Sequence, residues 1–287
     1  MALILTEEQQ LLKDSATEFL AMNAPVEQFR DLRDNNYKAF DESLWTKIVE
    51  MGWTALTIPE EFDGLEFGYV GLGQILEEMG KNLTKAPLFS SIVLGANVLT
   101  HSKNQELKKE WLPQLMEGTK RVALALDEHT YFDPTAIATT AKSTANGYTL
   151  SGKKTMIIDG ASADAFIVVA KTEDEELALF IVAADLKGIT VTSDVLLDAG
   201  TYATVVFDQV AVTATNRISG AGEGASLLND ILNTASICLS AEMLGMITEA
   251  FDQTVAYLKE REQFGKRIGT YQALQHRAAI MFSEIEL

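Results

Sequence analysis

The 287-residue chain carries 41 acidic against 23 basic side chains, a formal charge of −18. That balance argues against nucleic acid, whose binding needs clustered Lys and Arg to neutralise phosphates, and against an anionic membrane surface. The length exceeds what one compact core organises and suits two or three domains.

Residues 1–10 hold a short apolar run with no basic n-region and acids directly after it, so no signal peptide is expected. Thr6 before Glu7, Glu8 and Gln9 marks a helix start with Thr6 as N-cap. Leu11, Leu12, Ala16, Phe19 and Leu20 then recur at helical spacing. Further helices are expected over 42–51, with Gly52 as the stop, and over 71–79, 90–99 and 105–116. Between the first two of these, 57–68 is a loop punctuated by Pro and Gly.

The texture changes after Lys120. Short strands over 122–126, 148–150, 154–158, 166–169, 177–182, 188–192 and 204–207, split by Gly, Asp and Asn turns, read as a small β-barrel or sandwich. From 226 to 260 the helical period returns through Leu228, Ile231, Ala235, Leu239, Leu244, Ile247, Phe251, Val255 and Leu258. A helix so long and apolar must pack in a bundle, and its neighbours are largely absent. No apolar run approaches the length needed to span a bilayer; the longest obvious one is 177–184. The single cysteine, Cys238, falls in the long helical pattern and reads as a buried structural thiol, which suits a reducing cytosol. Three scattered histidines form no zinc-type constellation.

The fold class is therefore α+β. An N-terminal helical domain (1–119) is followed by a middle β-barrel or sandwich domain (120–217) and by the start of a C-terminal helical bundle (218–287).

The most informative stretch is 261–279, where Arg261, Gln263, Phe264 and Gly265 follow the long helix, the pattern breaks at Gly269, and Gln272 and His276 lie in the resumed helix. This resembles the R-x-Q-F-G-x-x-I…F-Q…H segment of flavin-dependent acyl-CoA dehydrogenases. The resemblance covers essentially the whole chain. It includes Ile58-Pro-Glu-Glu, the pair Glu77-Glu78, Gly152-Lys153-Lys154, and Ala163-Asp164 before a strand. LLKDS (11–15), IATTA (137–141) and AYLKEREQFG before YQALQHRAA resemble most the small-subunit class, the type of the pimeloyl-CoA dehydrogenase small subunit. Members of that class pair with a larger subunit.

The resemblance implies FAD as cofactor, an acyl-CoA thioester as substrate, an electron-transfer flavoprotein as electron acceptor, and a homo- or hetero-oligomer in the cytoplasm. It implies α,β-dehydrogenation, in which a carboxylate takes the α-proton while hydrogen bonds stabilise the developing enolate. Arg261, Gln263 and Phe264 are implied to reach the FAD of a neighbouring subunit, with Ile268 walling it and Gln272 bonding its polar edge. An Arg fork matches pyrophosphate oxygens; a solvated helix-end Arg is the alternative.

Two loops of the family's β-domain hold the flavin ring. Against T-E-P-G-x-G-S-D this chain reads 126–133 as Leu-Asp-Glu-His-Thr-Tyr-Phe-Asp, keeping only the final Asp133. Against K-x-W-I-T-N-G it reads Lys154-Thr-Met-Ile-Ile-Asp-Gly160, with Met156 and Ile158 in the Trp and Thr places. Met156 offers a soft thioether to a ring, whereas Ile158 has no donor; strand burial accounts for both equally well. Leu126 borders the first loop.

The catalytic base is unknown. One branch of the family places it where Ala235 stands, next to Ser236, and most of the family places it beyond Leu287. Glu223, Asp230, Glu242 and Glu249 match no family base position. Three readings stay open: an active subunit, a structural subunit that completes a partner's flavin site, and a truncated form of a longer enzyme.

Overall fold

The computed structural model describes residues 4–287. The remaining three, part of the segment read above for a leader, lie outside the described residues. The chain divides into two compact units. One gathers the N-terminal residues through Glu27, Val70–Thr84 and Ile237–Leu287; the other holds Gln28–Tyr69 and Lys85–Ser236.

The first unit is helical. Helix α1 (Glu7–Asn23) opens on the expected capping box, with the Thr6 hydroxyl accepting from Gln9 N and the Gln9 side chain accepting from Thr6 N. Helix α2 (Val26–Asp34), which lies mostly in the second unit, was not expected; it is short and polar and buries only Leu32. Helix α3 (Glu42–Glu50) also belongs to the second unit, and α4 (Tyr69–Asn82) returns the chain to the first.

Helix α4 packs within the first unit against the long C-terminal helix, and glycines set the spacing. A Cβ on Gly80 would lie 2.0 Å from Glu242 O, and one on Gly245 would lie 1.8 Å from Glu77 O. The two backbones therefore touch. The Lys13–Glu77 and Lys81–Glu78 ion pairs, 2.8 and 2.6 Å, flank the crossing.

The second unit combines helices and a sheet. The expected helix over 90–99 is instead a buried π-helix (Phe89–Ala96) running into α5 (Asn97–His101). Apolar periodicity does not separate i→i+5 from i→i+4 bonding. Helix α6 (Gln105–Met116) is capped by Asn104, whose side-chain oxygen accepts from Leu107 N. Then come β1 (Val122–Ala125), β2 (Thr140–Thr144), β3 (Gly147–Ile158), β4 (Ala165–Thr172), β5 (Leu177–Ala183), β6 (Ile189–Val195) and β7 (Thr201–Thr213).

These strands form one mixed sheet in the order β1-β4-β2-β3-β7-β6, with β5 on β4. It is the β-rich middle that the turn spacing indicates. The two strands expected over 148–158 are one strand with register shifts at Leu150/Gly152 and Lys154/Ile157, bulges that look like strand ends in a sequence. Strand β2 was missed, since its alternation is short and mostly polar. Phe166, Val168, Phe180, Val205, Phe207 and Leu150 fill the core of this unit.

Helix α7 (Gly224–Glu260) runs without a break. By length and composition it is apolar enough to cross a membrane, which corrects the expectation drawn from apolar runs alone. The core helix of a bundle satisfies the same test. A two-residue hairpin, β8 (Glu262–Gln263) with β9 (Lys266–Arg267), leads to α8 (Gln272–Glu286). Along α7 and α8, Ile237, Met243, Ile247, Ile280 and Phe282 stay exposed. An open groove of about 720 Å³ lies between the two helices.

Candidate functional site

The two loops flagged in the β-domain are clamped into one structure. Lys154 Nζ donates to Leu126 O at 2.9 Å and to Glu128 Oε1 at 2.8 Å. Glu128 also accepts from Ala138 N and Thr139 N, at 2.7 and 2.9 Å. Thr155 N donates to Asp127 O at 2.8 Å, and the Thr155 hydroxyl donates to His129 O at 3.1 Å. Burial pushes the Lys154 ammonium down and Glu128 pulls it back. Burial acts to raise Glu128, but the bonds from Lys154 and Thr139 outweigh it and hold the carboxyl below its usual range. Three donors thus converge on one carboxylate beside a fully buried lysine. Sequence reasoning passed over Glu128; a Glu just past a strand, with a Lys opening the next loop, was the available signal.

The bulge in β3 falls on Met156, whose φ of 54° is left-handed. It turns Met156 and Ile158 outward, 37% and 40% exposed, while Ile157 between them is buried. Strand burial therefore does not account for Met156 and Ile158. Leu126, by contrast, is buried, and its carbonyl receives Lys154. Tyr131 and Phe132 are largely exposed on the first loop, and His129 stacks on Tyr131 at 5.2 Å. Asp133 closes a local turn, accepting from Thr135 N and from its hydroxyl, at 3.0 and 2.7 Å.

Asp159 ends the second loop in a left-handed conformation, φ 56°. The residue is half-buried, but its carboxyl turns inward, accepting from the buried Ser90 hydroxyl at 2.7 Å and from Thr201 at 3.3 Å. Burial pushes the carboxyl up to about 6, against the bonds from Ser90 and Thr201 and the charge of Lys85. Gly160 follows because a Cβ there would sit 2.7 Å from Ile157 Cγ2 and 2.9 Å from Ala203 Cβ.

The second group of residues lies in the helical unit. Phe264 and Gly265 form the hairpin tip with φ of 54° and 77°, the paired left-handed residues of a type I′ turn. Phe264 is 92% exposed. Arg261 is exposed at the hairpin's base, with no side-chain partner among the described residues, while its backbone is fixed by Arg261 N→Tyr257 O and Ile268 N→Arg261 O, both 2.9 Å. Gln263 and Gln272 are exposed and Ile268 is half-buried. Tyr271 donates to Gln263 O at 3.4 Å and carries Lys266 over its ring. The turn is thus rigid, and what it presents is an Arg, a Gln and a Phe facing outward.

No proton acceptor stands at the family's alternative base position, since Ala235 is a buried alanine and the Ser236 hydroxyl donates to Leu232 O. Glu223 pairs with Lys103 and Glu249 accepts from Gln253. Among the described residues no group of acids, His and Cys could hold a metal ion.

Family models match most of the chain: acyl-CoA dehydrogenase N-terminal domain over 6–119, middle domain over 124–210 and C-terminal domain over 222–287. Acyl-CoA dehydrogenase FadE27 of Mycobacterium tuberculosis is 31% identical over 253 residues, which cover 88% of this chain and 65% of the relative. Acryloyl-CoA reductase (NADH) of Anaerotignum propionicum is 30% identical over 96% of this chain and 72% of its own length. The chain thus spans about two thirds of these relatives. Among solved structures, the ChsE4-ChsE5 complex from Mycobacterium tuberculosis matches with a TM-score of 0.91 at 28% identity, covering all of this chain and 76% of that one. Butyryl-CoA dehydrogenase from Megasphaera elsdenii matches with a TM-score of 0.89 at 26% identity, covering 100% and 78%.

Proposed function

Since the chain belongs to the acyl-CoA dehydrogenase family, we propose that it is a subunit of an FAD-dependent acyl-CoA dehydrogenase whose flavin is shared across a subunit interface. FAD is the cofactor that family membership indicates. Its three domains are 1–119, 120–217 and 218–287, and it works in the cytoplasm as part of a homo- or hetero-oligomer. The substrate is an acyl-CoA thioester, and the electrons pass on to an electron-transfer flavoprotein.

The observation that carries this reading is the hairpin at 261–267. A rigid turn holding Arg261, Gln263 and a 92% exposed Phe264 outward has no use within its own unit. It suits a neighbour's ligand that has anionic oxygens, polar edges and an apolar wall. Ile268 and Gln272 extend the same surface.

The β-domain fits a flat, largely apolar ring. Met156 and Ile158 stand outward on the β3 bulge, and the Lys154–Glu128 clamp fixes both loops before any ligand arrives. When bound, FAD supplies the hydride acceptor. This chain's residues orient the ring and shield it from water; Ile158 supplies no hydrogen bond where the family places a Thr.

A second reading is favoured by Ala235 and Ile158: a structural subunit that lends Arg261 and Gln263 to the flavin of a larger partner. Both readings share the trans contact, and Arg261→Ala tests it. Flavin content of the assembled oligomer should fall while the variant's circular dichroism stays unchanged; unaltered flavin content would sink the assignment. Dehydrogenation by this chain without a partner would exclude the structural reading.

A further inference from the structure

We propose that Asp159 is a positioning residue, a proton-controlled latch whose inward carboxyl sets where the second loop holds Met156 and Ile158. The latch stands on this chain's own geometry; its bearing on a cofactor rests on the flavin reading above.

The loop carries two left-handed residues that are not glycine, Met156 and Asp159, with φ of 54° and 56°. That conformation is strained for an L side chain, so anchors on both sides of the bulge must hold it. Before the bulge, Lys154 is tied to Glu128 and the Thr155 hydroxyl to His129 O. After it, the side-chain anchor is the Asp159 carboxyl, which the Ser90 hydroxyl reaches at 2.7 Å and the Thr201 hydroxyl at 3.3 Å. Asp159 N also donates to Thr201 O, at 2.9 Å.

This anchor changes character with its proton. Ser90 Oγ lies 3.3 Å from Pro87 O as well. Protonated, the carboxyl donates to Ser90 Oγ and leaves the Ser90 hydrogen for Pro87 O, a complete chain from the loop to the start of the π-helix. Ionised, the carboxyl must take the Ser90 hydrogen itself, and a charge then sits enclosed on two hydroxyl donors. Among the described residues no cation pairs with it: Lys85, which attracts it from a distance, donates to Ala199 O at 2.6 Å. An enclosed charge without a partner is costly.

The other charged groups around the turn are committed elsewhere. Asp198 accepts from Gly200 N and the Tyr202 hydroxyl, Asp194 from the Thr204 hydroxyl, and Arg121 pairs with Asp164. The π-helix and β1 bring no charged side chain. Burial pushes the Asp159 carboxyl up to about 6. Below that value it is protonated and the loop is held. Above it the carboxylate is drawn toward water at the half-buried turn, the side-chain anchor on that side of the bulge is lost, and Met156 and Ile158 shift with the turn.

The test follows the Met156 methyl resonance of the full chain, labelled with carbon-13 methyl methionine and assigned through Met156→Leu, between pH 5 and 8. Expected is a titration with its midpoint at about 6 that Asp159→Asn abolishes. Ser90→Ala should move the midpoint up by about one pH unit, because it removes a bond that favours the ionised form. His129, which meets Thr155 from the first loop, is intact in both variants, so a titration arising there would survive Asp159→Asn. If Asp159→Asn does not fold by circular dichroism, the Ser90→Ala midpoint decides alone. A Met156 resonance that ignores pH, or titrates unchanged in both variants, overturns the latch. In the assembled oligomer, FAD should bind about threefold or more weakly at pH 8 than at pH 5 in wild type, and equally at both in Asp159→Asn. Equal binding at both by wild type overturns the link to the cofactor site. A colourless wild-type oligomer overturns the flavin reading, while the methyl titration still decides the latch.

Discussion

Asp159→Asn should raise stability at neutral pH and leave it unchanged in acid. The wild-type carboxyl is held inward by the buried Ser90 and Thr201 hydroxyls and is pushed up from 3.8 to about 6 by desolvation. Below about pH 4 it is protonated in both folded and unfolded chains. As pH rises from about 4 to about 6 the unfolded chain ionises first, so the folded state loses relative stability across that window and keeps the deficit above it. A gap of about two pH units at about 1.36 kcal/mol each sets an upper limit of about 3 kcal/mol. Water reaching the half-exposed turn lowers this, so about 1–3 kcal/mol is the expected gain for Asn at pH 8. The carboxamide keeps an acceptor for Ser90 and places its NH2 toward the Thr201 hydroxyl, which can accept. Urea titrations followed by tryptophan fluorescence suit the question, because Trp45, Trp53 and Trp111 all lie in the same unit as Asp159. Parallel pH profiles for the two proteins, or a variant less stable at pH 8, would refute the reasoning.

Breaking the loop clamp should cost more. Glu128→Gln leaves the fully buried Lys154 ammonium without its counter-charge, for an expected loss of about 3–5 kcal/mol; combining it with Lys154→Met should recover most of that in urea titrations. At the α4–α7 crossing, Gly80→Ala drives a Cβ into Glu242 O and should cost about 1–3 kcal/mol. Gly73→Ala on the same helix meets only Ala241 Cβ at 3.8 Å and should gain up to about 1 kcal/mol from helix propensity. Thermal unfolding that ranks the two alanines equally would show that close backbone packing does not govern the crossing.

Much of the architecture was legible because its signals are local. Thr6 with Gln9 and Gly52 after the helix expected over 42–51 punctuate helices by short-range hydrogen bonding or φ, and chain order then separates helical from β-rich regions. What escaped depends on partners distant in sequence. The bulge that merges 148–158 into one strand exists only against β7. The π-helix packs against β1, where Ser91 accepts from Val122 N, and no periodicity records that. At the site, Arg261, Gln263 and Phe264 were readable as an ordered set, whereas the weight carried by Glu128 and Asp159 was not. Their importance comes from Lys154, Ser90 and Thr201, up to 69 residues away. Met156 and Ile158 were ambiguous for a related reason, since the bulge decides which strand face they take.

The shared flavin is tested most directly by the visible absorption spectrum of the purified chain, alone and after co-expression with a larger homologue, each with and without Arg261→Ala. The account predicts a flavin band at full occupancy in the assembled wild-type oligomer and a marked loss of that band in the variant oligomer. A colourless wild-type assembly, or equal flavin content with and without Arg261, would contradict it.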